Sequence, residues 1–138
     1  VEVSRILLDT SGYSAAERGN EPLAEAIRRA SEVILTPVVL GELRAGFMSG
    51  ERRIENEKKL SLFLELPRVT VVSMGEETAH CYAVIKMTLK KAGTPIPIND
   101  VWIAASAMQH GLTVVTTDKD FERVPQIITM WFDPKGKH

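Results

Sequence analysis

Ile6-Leu7-Leu8-Asp9 and Thr113-Val114-Val115-Thr116-Thr117-Asp118 have the same construction, a largely apolar run that stops at an aspartate. Apolar residues in succession, without alternation, mark a strand buried on both faces. Val33-Ile34-Leu35 and Val69-Thr70-Val71-Val72 read the same way, and Gln126-Ile127-Ile128-Thr129-Met130 is a weaker fifth candidate. Between these runs the apolar residues fall at helical spacing. Glu21 to Ala30 is one such stretch, and Pro37 to about Phe47 is the next, with Pro37 suited to the first helical position. Glu51 to Leu66 carries Leu60, Phe63 and Leu64 as its apolar stripe. Glu76 to Ala92 carries Ala79, Tyr82, Ile85 and Leu89 and stops at Gly93. Asn99 is placed to cap a last helix that runs to His110 and ends at Gly111. Strands alternating with helices predict an α/β fold, a three-layer α/β/α sandwich around a mostly parallel central sheet of four to five strands. No internal repeat, low-complexity tract or Pro/Gly/Ser-rich linker divides the chain, so residues 1–138 read as one domain. In such sheets ligands gather at the carboxyl ends of the strands, near the point where strand order reverses.

Composition narrows the function classes. With 44% hydrophobic and 25% charged residues and a net charge of -1, the chain has the make-up of a soluble domain, without the excess of basic charge that draws nucleic acid by bulk electrostatics. A nucleic-acid partner therefore has to be held by local basic groups or through bound metal. The single cysteine, Cys81, excludes an intrachain disulfide and a cysteine-based zinc site, and suits a reducing compartment. No run of about 18 apolar residues is present to span a membrane, and Val1 opens no basic-then-apolar leader. These features together predict a cytoplasmic protein.

The chemistry-bearing residues are acids. Asp9 and Asp118 each follow a strand, so two parallel strands would present two carboxylates at the same sheet edge. The simpler reading is that each aspartate opens a turn or caps the next helix. On the helix that begins at Pro37, Glu42 has Val38, Val39, Ala45 and Gly46 three and four positions away, which places it in an apolar stripe. A carboxylate there is costly unless it shifts its pKa or meets a cation. Asp100 stands in the first turn of its helix, where the dipole alone would favour it, but Val101 to Ala105 behind it form a packed element. Four converging carboxylates, without nitrogen or sulfur ligands, favour Mg²⁺ or Mn²⁺ over zinc. His80, His110 and His138 lack metal-ligand spacing and read as surface or helix-end residues.

At these positions the sequence resembles the PIN-domain ribonucleases, and among them the VapC-type toxins of prokaryotic toxin–antitoxin modules. The matching strings are Leu7 to Ser11 (LLDTS), Val38 to Leu43 (VVLGEL), Asn99 to Ala105 (NDVWIAA) and Thr116 to Phe121 (TTDKDF), in family order across nearly the whole chain. The resemblance implies a divalent-metal-dependent ribonuclease, with Asp9 and Asp100 holding the metal most directly and Glu42 and Asp118 completing the site. It makes Asp120 an auxiliary acid and Thr116 the hydroxyl that orients the cluster. Ser11 stands where many members have Asn; its hydroxyl can still orient a carboxylate or a water. A small antitoxin partner and a homodimer are further implications of the resemblance.

In that reading a carboxylate, Glu42 or Asp118, positions or deprotonates a water that attacks an RNA phosphodiester. Arg44 beside the site would draw the RNA, with the pairs Arg28-Arg29, Arg52-Arg53, Lys58-Lys59 and Lys90-Lys91 as weaker candidates. Trp102 and Trp131 lie in apolar surroundings that suit core or interface better than base stacking. Thr94 to Ile98 forms a stiff, proline-rich approach to Asp100. Competing readings are an aspartyl-phosphate hydrolase, a phospho-acceptor signalling domain, and a catalytically silent PIN domain that binds RNA or protein. The first wants a second Asp at position 11, where Ser11 stands, and a lysine in the site. The second wants adjacent acids early in the chain, where only Glu2 is found. Retention of all four acids counts against silence, since an unused buried cluster is a stability liability.

Overall fold

Ile6, Leu7 and Leu8 are each 1% exposed or less, so both faces of their strand are covered, as an uninterrupted apolar run requires. The computed structural model describes residues 5–136; the expectations for Val1, Glu2 and His138 lie outside them. In chain order the elements are β1 (Arg5–Leu8), α1 (Thr10–Glu17), α2 (Glu21–Arg29), β2 (Glu32–Leu35), α3 (Pro37–Ser49), α4 (Arg53–Leu64) and β3 (Val69–Val71). Then follow α5 (Glu76–Ala92), α6 (Ile98–His110), β4 (Thr113–Thr116), a 3-10 turn (Lys119–Arg123) and β5 (Ile128–Trp131).

The strands form one parallel sheet in the order β3-β2-β1-β4-β5. The chain therefore moves outward from β1 to β3, then returns past β1 to build the other half. Right-handed crossovers put the helices that follow β1 and β2 on one face and those leading from β3 to β4 on the other. This gives the three-layer α/β/α sandwich expected from the sequence. Strand order reverses between β1 and β4, where Leu7 pairs with Val114 and Leu8 with Val115. The carboxyl ends of these two central strands are where the crevice opens.

Local chemistry sets the helix ends. Pro37 opens α3, and the Thr36 hydroxyl accepts a hydrogen bond from the Val39 N–H at 3.2 Å. Gly93 and Gly111 end α5 and α6 with φ of 69° and 65°, the left-handed backbone that glycine adopts without cost. The buried stripe of α5 is Thr78, Cys81, Ile85 and Leu89, rotated from the expected one: Ala79 is exposed and Tyr82 stacks on Trp102 of α6 at 4.2 Å. Among the described residues, no helix is long and apolar enough to cross a membrane.

Further boundaries differ from expectation. Helix α1 is a short element that apolar spacing does not announce, because Gly12 and two serines dilute its pattern. The fifth strand starts two residues later and ends one residue later than the apolar run it was read from. Pro97, not Asn99, stands at the cap position of α6, which leaves the Asn99 side chain free to reach α3.

Candidate active site

Asp9 follows the last residue of β1 and is only 3% exposed. It caps α1: its Oδ1 accepts the Gly12 N–H at 2.8 Å. The Ser11 hydroxyl lies 3.0 Å from both carboxylate oxygens, and the Thr116 hydroxyl donates to Oδ2 at 2.8 Å. Burial is the largest influence on this carboxyl and pushes it up to about 6, against the lowering effect of its three donors; the charge of Asp118 adds to the rise. The close approach needs a glycine at position 12. A Cβ there would lie 2.7 Å from the Val115 carbonyl oxygen and 2.9 Å from the Leu8 Cδ1.

Asp118 is placed by β4 in the same manner. It caps the 3-10 turn by accepting the Asp120 N–H at 2.9 Å, while its own N–H donates to the Thr116 hydroxyl oxygen at 2.9 Å. The Thr117 N–H likewise donates to the Ser11 hydroxyl oxygen at 3.1 Å. Each hydroxyl thus accepts from the backbone of the β4 loop, and its one proton is left to point at Asp9. Two backbone N–H groups of one strand end thereby fix the carboxylate of another. Capping and clustering, read from the sequence as alternatives, are both present at Asp9 and Asp118.

Glu42 projects from α3 and Asp100 from α6. The Thr10 hydroxyl donates to the Glu42 Oε1 at 2.5 Å, and Asn99 Nδ2 donates to Oε2 at 3.1 Å. Glu42 is half-buried rather than part of an apolar stripe: the core-facing residues of α3 are Val39 and Leu43, and Ala45 and Gly46 are exposed. Small neighbours here mark an open rim. Asp100 is pushed up to about 7, first by burial and then by the charges of Asp118, Asp9, Glu42 and Asp120, with no hydrogen bond among the described residues to lower it. Carboxylate oxygens of Asp100, Asp118 and Asp120 lie within 4.8 Å of one another. Asp9, Glu42, Asp100 and Asp118 all line one open cleft of about 570 Å³, with Thr10, Ser11 and Asn99 beside them.

The structure therefore brings the four acids of the sequence reading to one cleft, and Asp120 beside Asp100 and Asp118. Ser11 and Thr116 both hydrogen-bond to Asp9. Arg44 does not join it: its guanidinium turns to α4 and pairs with Glu57 at 3.3 Å. Arg28 and Arg29 are likewise committed, to Glu21 and Glu25. Thr10, Gly12 and Asn99 also hydrogen-bond to the acids of the cleft, which the sequence reading did not anticipate. Gly12 carried a signal, a glycine three residues after a capping aspartate; the Thr10 and Asn99 contacts span 32 and 57 residues and have no local trace.

The sequence profile described as PIN domain matches residues 6–127. The chain belongs to the PIN domain family. It is 32% identical over 115 residues to ribonuclease VapC5 of Mycobacterium tuberculosis, covering 83% of this chain and 84% of that protein. Its fold matches VapBC-5 from Mycobacterium tuberculosis, a member of the VapBC family of toxin-antitoxin systems, with a TM-score of 0.70 at 25% identity over 92% of this chain and 98% of that one. Likeness to VapBC-1 from nontypeable Haemophilus influenzae, with a TM-score of 0.80 at 24% identity over 91% of this chain and 96% of that one, bears on the fold alone. The four acids that line the cleft of this PIN domain, Asp9, Glu42, Asp100 and Asp118, offer only carboxylate oxygens. A half-buried carboxylate without a hydrogen-bond donor, ringed by other acids, is the feature a hard divalent cation satisfies.

Proposed function

We propose that the acidic cleft is the active site of a divalent-metal-dependent ribonuclease, the toxin component of a toxin–antitoxin module. The observation that carries this reading is Asp100, whose carboxylate has four acids around it and no hydrogen-bond donor among the described residues. Such crowding is stable only with protons or a cation in the cleft. Asp9, Asp100, Asp118 and Glu42, with Asp120 as an auxiliary ligand, would hold Mg²⁺ or Mn²⁺. When bound, an ion of this class acidifies water and neutralises charge on phosphate oxygens. The chain's own residues do the rest. Ser11 and Thr116 hold Asp9 in one orientation, so its carboxylate needs no rearrangement when substrate arrives. Thr10 and Asn99 hold Glu42 at the rim, where it can position a water against an RNA phosphodiester and take its proton.

An aspartyl-phosphate mechanism fits this geometry poorly. Its nucleophile would be Asp9, yet both oxygens of Asp9 accept hydrogen bonds and the residue is 3% exposed. No lysine lines the cleft among the described residues. The VapC5 ribonuclease and the VapBC-5 toxin-antitoxin relatives support RNA as substrate and a small antitoxin as partner. The antitoxin would block the cleft by offering an arginine to its carboxylates, since guanidinium pairs with carboxylate in bidentate fashion. Residues 1–138 act in this reading as one domain, cytoplasmic and homodimeric. RNA cleavage by the purified protein should require Mg²⁺ or Mn²⁺ and stop in EDTA; cleavage that persists in excess EDTA removes the metal mechanism.

A further inference from the structure

A second pocket lies at the other end of α1, among α1, α3 and α4, with a volume of about 260 Å³. Tyr13, Ser14 and Arg18 of α1 and Arg52, Asn56 and Lys59 around the start of α4 all line it. These side chains are donors, and all but Lys59 are without a side-chain hydrogen bond or ion pair among the described residues. Tyr13 is 5% exposed and lines the pocket, and its hydroxyl is not buried and has no hydrogen-bond partner among the described residues. Arg18 and Arg52 have no ion pair among the described residues, whereas Arg5, Arg28, Arg29, Arg44 and Arg123 are all paired with acids. Lys59 reaches Glu55 only at 3.7 Å. Glu17 is the one acid in the lining, against three cations. Guanidinium groups and a phenol left to solvent in one concavity are free to take an anionic ligand.

We propose that this pocket is a subsite for a backbone phosphate of the RNA strand, upstream or downstream of the phosphodiester held at the acidic cleft. The inference rests on the ribonuclease reading and extends it along the substrate. Helix α1 links the two places directly, because Asp9 caps its first turn and Arg18 ends its last. With a rise of about 1.5 Å per residue, Arg18 lies roughly 13 Å from Asp9, a few nucleotides along an extended strand. The acidic cleft repels a polyanion wherever metal does not neutralise it, so a cationic anchor away from the cleft supplies what the overall charge of -1 does not. Paired guanidinium groups with a phenol and an amide match the several acceptor oxygens of a phosphodiester.

The test is RNA binding in Mg²⁺ by Asp100→Asn protein, which should not cleave, using a short labelled single-stranded RNA over a salt series. Arg18→Ala with Arg52→Ala should weaken binding roughly tenfold and reduce the slope of log K against log salt by about 0.7, the loss of one phosphate contact. Tyr13→Phe, which keeps the ring against Phe63 and loses no hydrogen bond, should weaken binding a few-fold while leaving the melting temperature equal or higher. With Asp100 restored, the double variant should raise KM and leave kcat unchanged, as for a contact made equally in ground and transition states. RNA affinity and salt slope equal to the parent's overturn the subsite, including where the substitutions instead weaken binding of an acidic peptide from a protein partner. Absence of any RNA binding or cleavage in Mg²⁺ by the protein with Asp100 intact overturns the ribonuclease reading together with the subsite, and so is distinguishable from the first failure.

Discussion

Without metal, the acidic cleft should make this protein less stable as the solution becomes more alkaline. Asp9 rises from 3.8 to about 6 and Asp100 from 3.8 to about 7, so the folded chain binds more protons than the unfolded chain between these values. The sign follows from that difference: both groups favour folding fully below about pH 4, and their contribution is lost as pH rises through 6 and 7. For Asp9 alone, the whole shift corresponds to about 3 kcal/mol, of which roughly 1.4 kcal/mol is lost between about pH 5 and pH 8. Asp100 acts in the same direction, but it is only half-buried and its share is reduced by solvent screening, so about 2 kcal/mol is expected for the pair. For a domain of this size that is roughly 5–10 °C in melting temperature.

Asp100→Asn is the perturbation that isolates this effect. It deletes one charge at near-constant shape, and Asp100 accepts no hydrogen bond that would be lost with it. Asp9→Asn is less clean, because it disturbs the cap of α1 and two hydroxyl contacts, where about 1 kcal/mol is at stake. Thermal melts of the parent and Asp100→Asn in EDTA should therefore converge below about pH 4 and separate by several degrees at pH 8, with the variant the more stable. Mg²⁺ at pH 8 should raise the parent's melting temperature and do little for the variant, since binding to the folded state alone stabilises it. Cleavage should be lost in the variant throughout. A variant that melts below the parent at pH 8 in EDTA, or a difference that does not change with pH, would refute the convergence of these carboxylates.

Other substitutions probe the supports of the cluster. Gly12→Ala should lower stability by about 1–3 kcal/mol in chemical denaturation, because its Cβ meets the Val115 carbonyl oxygen at 2.7 Å; an unchanged midpoint would show that the β1–α1 turn can move. Thr116→Val, at a fully buried position, leaves the Asp118 N–H and the Asp9 Oδ2 each without its hydroxyl partner, so a loss of about 1–3 kcal/mol and at least tenfold slower cleavage are expected. Full activity in that variant would mean that Ser11 alone orients Asp9. Cys81→Ala should keep cleavage within a few-fold, since Cys81 is buried on α5 and lies outside the cleft lining; loss of activity in a folded protein would reveal a role for it.

The strands and the four acids were legible because their signals are local. An apolar run ending in aspartate needs no knowledge of distant residues, and strand order follows from parallel connections once the helices are in place. What escaped the sequence depends on partners far along the chain. The flanks of Glu42 show why: Ala45 and Gly46 are the same letters whether a helix faces the core or presents an uncrowded rim to solvent. Asn99 reads as a cap in sequence, yet Pro97 takes the cap position and Asn99 reaches Glu42 instead. Arg44 reads as a neighbour of the site, and Glu57 on the following helix draws it away.

Asp9 carries the most general physical lesson in the fold. Helix capping and site building were opposed as explanations of its place after β1, but the N–H of Gly12 that satisfies the first turn of α1 also fixes one carboxylate oxygen. The other oxygen is fixed by Thr116, which is itself held by the Asp118 N–H of the neighbouring strand. A capping aspartate on an exposed helix would keep its ordinary acidity; here burial overcomes three hydrogen bonds and lifts it to about 6. The excess of desolvation over hydrogen bonding is what a structural cap does not need and a cation-binding carboxylate tolerates. Stability spent at the end of β1 is offset by the apolar burial of Leu7 and Leu8 beside it, each contributing about 1.5–3 kcal/mol. A central strand buried on both faces thus carries a desolvated acid at its tip.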